Sequence, residues 1–341
     1  MALRKTGVIL INLGSPDKPD TPSVRRYLQQ FLMDWRVIDI PYLMRWLLVY
    51  GPISILRAPK SAHAYQKVWR KEGSPLVIEG FNLAKRVGEI LGPDYSVHLA
   101  MRYGSPSIES VVKKMLDEGV EEIRALPLYP QYASASTASS VDELNRVLGK
   151  EVAFPPLRIL PDFYDHPGFI ASFAEVTKTF LESSNFKPDH ILFSYHGLPE
   201  HQMRSADRSK SHCLQAADCC NRITAVNRFC YRAQCFQTTF ALQKALGRTH
   251  EDSSLSFQSR LGRRPWIQPY TDFELPILRQ RGVKRLAVMC PAFVADCLET
   301  LEEIAIRAAE DWKALGGEAL TLVPSLNSEE IWCRTVADMV K

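Results

Sequence analysis

Val8-Ile9-Leu10-Ile11-Asn12-Leu13, closed by Gly14-Ser15-Pro16, is a run of neighbouring apolar residues that stops at a turn. A strand with one wet face would alternate apolar and polar residues. A continuous run belongs to a strand covered on both faces, as in a parallel sheet between two layers of helices. The same signature returns at 96–102, 123–129, 191–195, 255–258, 286–290 and 319–323. The intervals carry helical periodicity: Ile108, Val111, Val112, Met115 and Leu116 mark 107–118, and 169–181, 236–246, 272–281 and 297–315 behave alike. Strand and helix in strict alternation predict βαβ units and open parallel sheets, an α/β fold.

The chain is 341 residues long, enough for two such domains. Lys150-Glu151 leading into Pro155-Pro156 marks a boundary, so 1–150 and 151–326 are expected to form two Rossmann-like domains of about four strands each. The last helix, within 327–341, is free to pack back on the first domain. Two such halves predict a ligand cleft beside the carboxyl ends of the strands.

With 46% apolar and 23% charged residues the composition is that of an ordinary globular protein. A net charge of +4, with its densest basic stretch at 260–264, is too small to argue for nucleic acid. There is no GxGxxG after the first strand, no phosphate-binding Walker loop, no GxSxG elbow and no HExxH, which argues against a dehydrogenase, a kinase or a zincin. No secretory leader is expected from residues 1–13. The stretch 37–56 is unusually apolar, yet Asp39, Pro41, Arg45 and Pro52 interrupt it, so it reads as an apolar lip rather than a spanning helix.

Three segments carry chemistry. In SYHGLP (194–199), His196 ends an apolar strand and is followed by a turn, which puts an imidazole at the mouth of a sheet. Such a group takes a proton near neutral pH or binds a divalent metal. In CPAFVADCLETLEEI (290–304), Asp296, Glu299 and Glu303 follow another strand end at i, i+3 and i+7, so a helix would present them on one face. That stripe suits a solvated surface or, opposite His196, a path for cations or protons. In LPLYPQY (126–132) and the hydroxyl-rich residues after it, a strand end meets a helix start.

Taken with LINLGSP (10–16), KVWRKEGSPL (67–76), MRYGSPSIE (101–109) and FQSRLGRRPWIQPYTD (257–272), these motifs make the sequence resemble a ferrochelatase over nearly its whole length. The resemblance implies two Rossmann-like halves around a porphyrin cleft. It implies insertion of Fe²⁺ into protoporphyrin IX, with His196 and Glu299 at the porphyrin centre and the roles of iron ligand and proton acceptor left open between them. It further implies an acidic path through Asp296 and Glu303, and a pocket including Arg102, Tyr103, Tyr132, Ser259 and Trp266. The lip at 37–56 would receive the greasy ring, and the expected location is the cytoplasm, with peripheral contact on the inner face of the membrane. Coproporphyrin as substrate, a non-catalytic tetrapyrrole or metal carrier, and a thiol-based redox sensor are the alternatives.

Two departures from the family pattern stand out. Five of the eight cysteines lie in an insertion, 208–235, as Cys213, Cys219, Cys220, Cys230 and Cys235. Without a leader a disulfide framework is not expected there, and clustered thiols point to metal. The animal-type [2Fe–2S] ligand set is missing, because Ser134 stands at its upstream position and the C-terminal end offers only Cys333. A [2Fe–2S] cluster on Cys213, Cys220, Cys230 and Cys235, with Cys219 as substitute, is the expectation, and Zn²⁺ is the rival. The second departure is Cys297, where some members carry histidine.

Overall fold

The computed structural model describes residues 5–260, 262 and 264–341; of the basic stretch 260–264, Leu261 and Arg263 lie outside the described residues. The chain folds as two compact units. The first takes the residues up to Tyr129, Ser134–Asp162 and Asn327–Lys341; the second takes Pro130–Ala133 and Phe163–Leu326.

In the first unit the strands β1 (Thr6–Ser15), β2 (Tyr95–Gly104), β3 (Glu122–Pro127) and β4 (Leu157–Ile159) form one parallel sheet in the order β2-β1-β3-β4. Val8, Ile9, Leu10 and Ile11 are all fully buried, as a central strand covered on both faces requires. Helices α1 (Thr21–Leu32), α2 (Tyr42–Leu48), α3 (Ala58–Val68), α4 (Pro75–Leu91), α5 (Ile108–Asp117) and α6 (Ser139–Leu148) complete the unit, with the C-terminal helix Glu330–Val340 packed on α4. Ile9, Ile11, Val112, Met115, Ile123 and Leu144 belong to its core. The start of α5 follows from its sequence: Ser107 caps it by accepting from the Ser110 amide.

The second unit repeats the plan. Its strands β5 (His190–His196), β6 (Ser253–Gln258), β7 (Arg285–Met289) and β8 (Ala319–Leu322) lie parallel in the order β6-β5-β7-β8. Helices α7 (Pro167–Ser183), α8 (Glu200–Ala206), α9 (Tyr231–Leu246), α10 (Thr271–Gln280), α11 (Leu298–Leu301) and α12 (Ala309–Ala314) flank them, and Leu192, Leu278, Leu286, Val288 and Trp312 fill the core. The C-terminal helix is α13.

One expected helix takes another form, and the lip shares the irregularity. The stretch 297–315 is not one α-helix: α11 makes a single turn, residues Glu303–Ala308 widen into a π-helix, and α12 follows. The lip likewise passes from α2 into a π-helical segment, Val49–Arg57. Pro52 lies inside it, and a proline without an N–H cannot extend an α-helical ladder.

Candidate active site

In the second unit the chain leaves β5 for β6 on one side and later for β7 on the other, so the sheet reverses its direction of growth between β5 and β7. Open α/β sheets bind ligands outside the carboxyl ends of the strands at that point. His196 is the last residue of β5, and the segment 290–299 follows β7.

The histidine is held from several sides. Its Nδ1 lies 2.6 Å from the Gly197 carbonyl oxygen. A carbonyl only accepts, so Nδ1 carries a proton, and in the neutral ring the lone pair is on Nε2. The Tyr231 hydroxyl donates to the His196 main-chain oxygen at 2.9 Å, and the Phe293 ring stands 6.3 Å away, centroid to centroid. Gly197 cannot be anything larger: a Cβ there would meet the Gln258 carbonyl oxygen at 2.8 Å and the Trp266 ring at 3.2 Å.

Gln258 is the link that sequence reasoning missed. It pairs with His196 in register across β5 and β6 and is buried. Its Nε2 donates to the Glu299 main-chain oxygen at 2.8 Å, and its Oε1 accepts from Ser194 Oγ at 2.7 Å. One glutamine thus ties the strand tip bearing His196 to the turn bearing Glu299. Its place at a strand end, like that of His196, was the available signal.

The acidic residues do not form the single α-helical stripe expected of them. Asp296 lies ahead of α11, buried, and accepts from Thr300 Oγ1 and the Ser325 amide. Thr300 Oγ1 also accepts from the Cys297 amide, so one buried hydroxyl fixes both ends of the turn around Glu299. Glu303 opens the π-helix and accepts from the amide and hydroxyl of Ser259, whose φ is +67°. Cys297 is buried beside Glu299; burial first, and then the carboxylate's charge, push its thiol well above the usual range. Glu303, Ser259, Arg260, Asp272, Arg307 and Asp311 line a cleft of about 230 Å³.

The remaining predicted pocket residues divide between the units. Trp266 bridges Pro199, and the Tyr132 ring packs 5.2 Å from that of Phe229, both pairs within the second unit. Arg102 and Tyr103 belong to the first unit and converge on Asp34. Arg102 Nη2 and the Tyr103 hydroxyl each donate to Asp34 Oδ2 at 2.8 Å, Ser139 Oγ donates to the same oxygen, and the Arg36 amide donates to Oδ1 at 2.8 Å. Burial opposes the charge on Asp34, but these hydrogen bonds and the Arg102 guanidinium outweigh it and hold the carboxyl below its ordinary value. Nothing local in the sequence singles out Asp34, because its side-chain partners are 68 to 105 residues away.

The five insertion cysteines are buried and unbridged. Two buried side chains organise the loop. Asp207 accepts from the amides of Ser209, His212 and Cys213, and Asn227 donates to the carbonyls of Cys219 and Arg222. Cys230 hydrogen-bonds with the thiols of both Cys213 and Cys220, and Cys219 Sγ lies 3.7 Å from Cys220 Sγ. Its bond with Cys213 is the main reason the Cys230 thiol is pushed up to about 12. Cys235 instead bonds the Tyr231 hydroxyl on α9. Among the described residues no three His, Cys, Asp or Glu side chains converge closely enough to hold a metal ion as they stand.

The model of the ferrochelatase family matches residues 5–341. The chain belongs to the ferrochelatase family. Its curated relatives include the ferrochelatase of Coxiella burnetii (strain Dugway 5J108-111), 47% identical over 99% of this chain and 93% of the relative. Those of Legionella pneumophila (strain Lens) and Stutzerimonas stutzeri (strain A1501) are 42% and 43% identical over 98% and 99% of this chain, and 98% of each relative. Among solved structures, SirB from Bacillus subtilis with Fe³⁺ superposes with a TM-score of 0.54 at 11% identity, covering 98% of this chain and 94% of that one. At that identity the likeness speaks for a chelatase-like fold of two Rossmann-like domains, with the same layered sheets in this ferrochelatase.

Proposed function

We propose that this ferrochelatase works at the tip of β5, with His196 and Glu299 on either side of the reacting porphyrin centre. The protein inserts Fe²⁺ into protoporphyrin IX to make haem, a metal-inserting lyase reaction that releases two protons. The observation that carries the site assignment is the Gln258 tie, which couples the Glu299 backbone to the strand residue paired with His196.

Insertion requires that iron lose its water, that two pyrrole N–H protons leave, and that the ring buckle to expose its nitrogens. With Nδ1 locked on the Gly197 carbonyl, His196 presents Nε2 as a proton acceptor or a weak, exchangeable metal ligand. Glu299 supplies the carboxylate for the complementary role. Asp296 and Glu303, each held by defined hydrogen bonds, offer cations or protons a route past Glu299. Tyr132 and Trp266 give the ring flat apolar surface. The test is metal insertion followed by loss of porphyrin fluorescence. His196→Ala and Glu299→Gln should each lower the rate at least 100-fold, as loss of a proton-transfer group does. Unchanged rates in both would overturn the assignment, and strong preference for coproporphyrin over protoporphyrin would overturn the choice of ring.

The insertion is read as a four-thiolate site on Cys213, Cys219, Cys220 and Cys230, holding a [2Fe–2S] cluster in preference to Zn²⁺. Four buried, unbridged thiols within one short loop form a suitable donor set, with Cys219 Sγ 3.7 Å from Cys220 Sγ and the Arg232 guanidinium 3.1 Å from Cys220 Sγ. A cluster would supply a redox-sensitive cross-link of the loop. Brown protein whose visible absorbance disappears in Cys230→Ser supports this reading; colourless protein with stoichiometric zinc refutes it.

The lip is read as the surface that meets the greasy ring or the inner face of a bilayer. In α2 the polarity is inverted. Arg45 is buried and donates to the carbonyls of Ile38 and Ile40, while Tyr42, Leu43, Met44 and Leu47 are each more than half exposed. An apolar surface of that kind calls for a partner. No helix of the described residues is long and apolar enough to cross a membrane. Flotation with anionic vesicles, lost in Leu43→Ser/Leu47→Ser, supports the contact; unchanged flotation refutes it.

A further inference from the structure

The loop part of the cysteine-rich insertion ends at Cys230, and α9 begins at the next residue. The residues around that junction lead to the site. Before it, the Phe229 ring packs 5.2 Å from the Tyr132 ring. After it, the Tyr231 hydroxyl donates to the His196 carbonyl at 2.9 Å. One turn on, Gln234 accepts from the Tyr132 amide at 2.6 Å through Oε1 and donates to the Arg228 carbonyl at 2.8 Å through Nε2. Arg232 spans from Cys220 Sγ to the Gln268 carbonyl, two residues from Trp266. Tyr231 and Gln234 are buried, so these bonds have no water to replace them.

We propose that Tyr231 is a positioning residue for His196, and that the junction Phe229–Gln234 is the rigid link through which the cysteine-bearing segment sets the two sides of the pocket. Tyr231 acts on the histidine; Phe229 and Gln234 act on Tyr132. The inference rests on the reading of His196 and Tyr132 given above. A hydroxyl on the carbonyl of the last strand residue fixes the peptide plane from which the imidazole hangs. A 1 Å drift of a catalytic group is enough to cost much of the rate.

The two arms predict different kinetic signatures. Tyr231→Phe removes one oxygen and keeps the ring, so kcat for insertion should fall about 3- to 10-fold, the worth of one net hydrogen bond, with porphyrin KM within twofold of wild type. Phe229→Ala removes a ring that is half exposed, so folding is safe. It should weaken metal-free porphyrin binding, read by fluorescence titration, about 3- to 10-fold, as loss of one aromatic pair does, with kcat within twofold. A merely structural role would move both quantities together or lower only the active fraction. Tyr231→Phe at wild-type kcat, or Phe229→Ala at wild-type porphyrin affinity, overturns the corresponding arm. Should Tyr231→Phe fail to fold, 3-fluorotyrosine at 231, a stronger donor of nearly equal size, replaces it, and an unchanged kcat overturns that arm. His196→Ala run in parallel separates the two levels: if it retains the wild-type rate, the site reading has failed rather than the link.

Discussion

Replacing Asp34 with asparagine keeps the shape of the side chain and removes its charge, and the structure says what that costs. Three donors meet on Oδ2, from Arg102, Tyr103 and Ser139, while Oδ1 accepts from the Arg36 amide. An asparagine has one oxygen for two accepting positions. Whichever way it turns, its NH₂ faces a donor. The Asp34 side chain is 5% exposed and that of Arg102 15%, so solvent does little to screen the pair. Hydrogen bonds to a charged group are worth about 1.5–3 kcal/mol each, and orphaning one member of a buried ion pair costs about 3–5 kcal/mol. The two hydroxyl donors can rotate away, so we place the loss for Asp34→Asn at about 3 kcal/mol, with a similar loss for Arg102→Met. The double variant leaves neither charge orphaned, so it should be less destabilised than the sum by about 2 kcal/mol. Urea midpoints for the four proteins, followed by near-ultraviolet circular dichroism, measure this coupling. Single losses below about 1 kcal/mol that add within about 0.5 kcal/mol would refute the buried hub. They would also leave Arg102 free for the pocket role that the resemblance implies.

Further outcomes follow from the same geometry. Gly197→Ala pushes a methyl into the Gln258 carbonyl at 2.8 Å, a backbone contact that cannot yield cheaply, so stability should fall by about 1–3 kcal/mol and the insertion rate by more than tenfold; wild-type activity would show that the strand tip is not under this constraint. Thr300→Val keeps the volume and deletes the hydroxyl that joins Asp296 to the Cys297 amide, which should cost about 1–3 kcal/mol and lower kcat; equal thermal midpoints for variant and wild type would refute the clamp. Burial lowers the His190 pKa from 6.5 to about 4, so the unfolded chain binds the proton more readily between those values. Stability is therefore complete above about pH 6.5 and is lost as the pH falls toward 4, by about 2 kcal/mol between pH 8 and pH 5 from this group alone. His190→Gln should flatten that slope in urea titrations, and an unchanged slope would refute the attribution.

What could be read from the sequence was whatever left a local signature. Seven strands announced themselves because both faces of a parallel sheet are buried, and His196 because the apolar run of β5 stops on it. The eighth, β4, is three residues long and largely exposed, so it carries no apolar run. The π-helix at Glu303–Ala308 has no proline or glycine to betray it, and a helical wheel therefore put Asp296, Glu299 and Glu303 on a stripe that the chain does not build. Long-range hubs were equally silent: Asp34, Gln258 and Tyr231 each matter through partners supplied by other elements. The same distinction bears on the insertion. Spacing alone favoured Cys235 as the fourth ligand over a cysteine adjacent to another. The set proposed above exchanges Cys235, one turn after Tyr231 on α9, for Cys219, whose Sγ lies 3.7 Å from that of Cys220. On that division of labour, Cys219→Ser should strip metal from the purified protein. Cys235→Ala should keep the metal and lower kcat, because the buried thiol it removes packs one turn from Tyr231, whose hydroxyl holds the histidine. Full metal content in Cys219→Ser together with its loss in Cys235→Ala would reverse the assignment and tie the catalytic strand to the metal site itself.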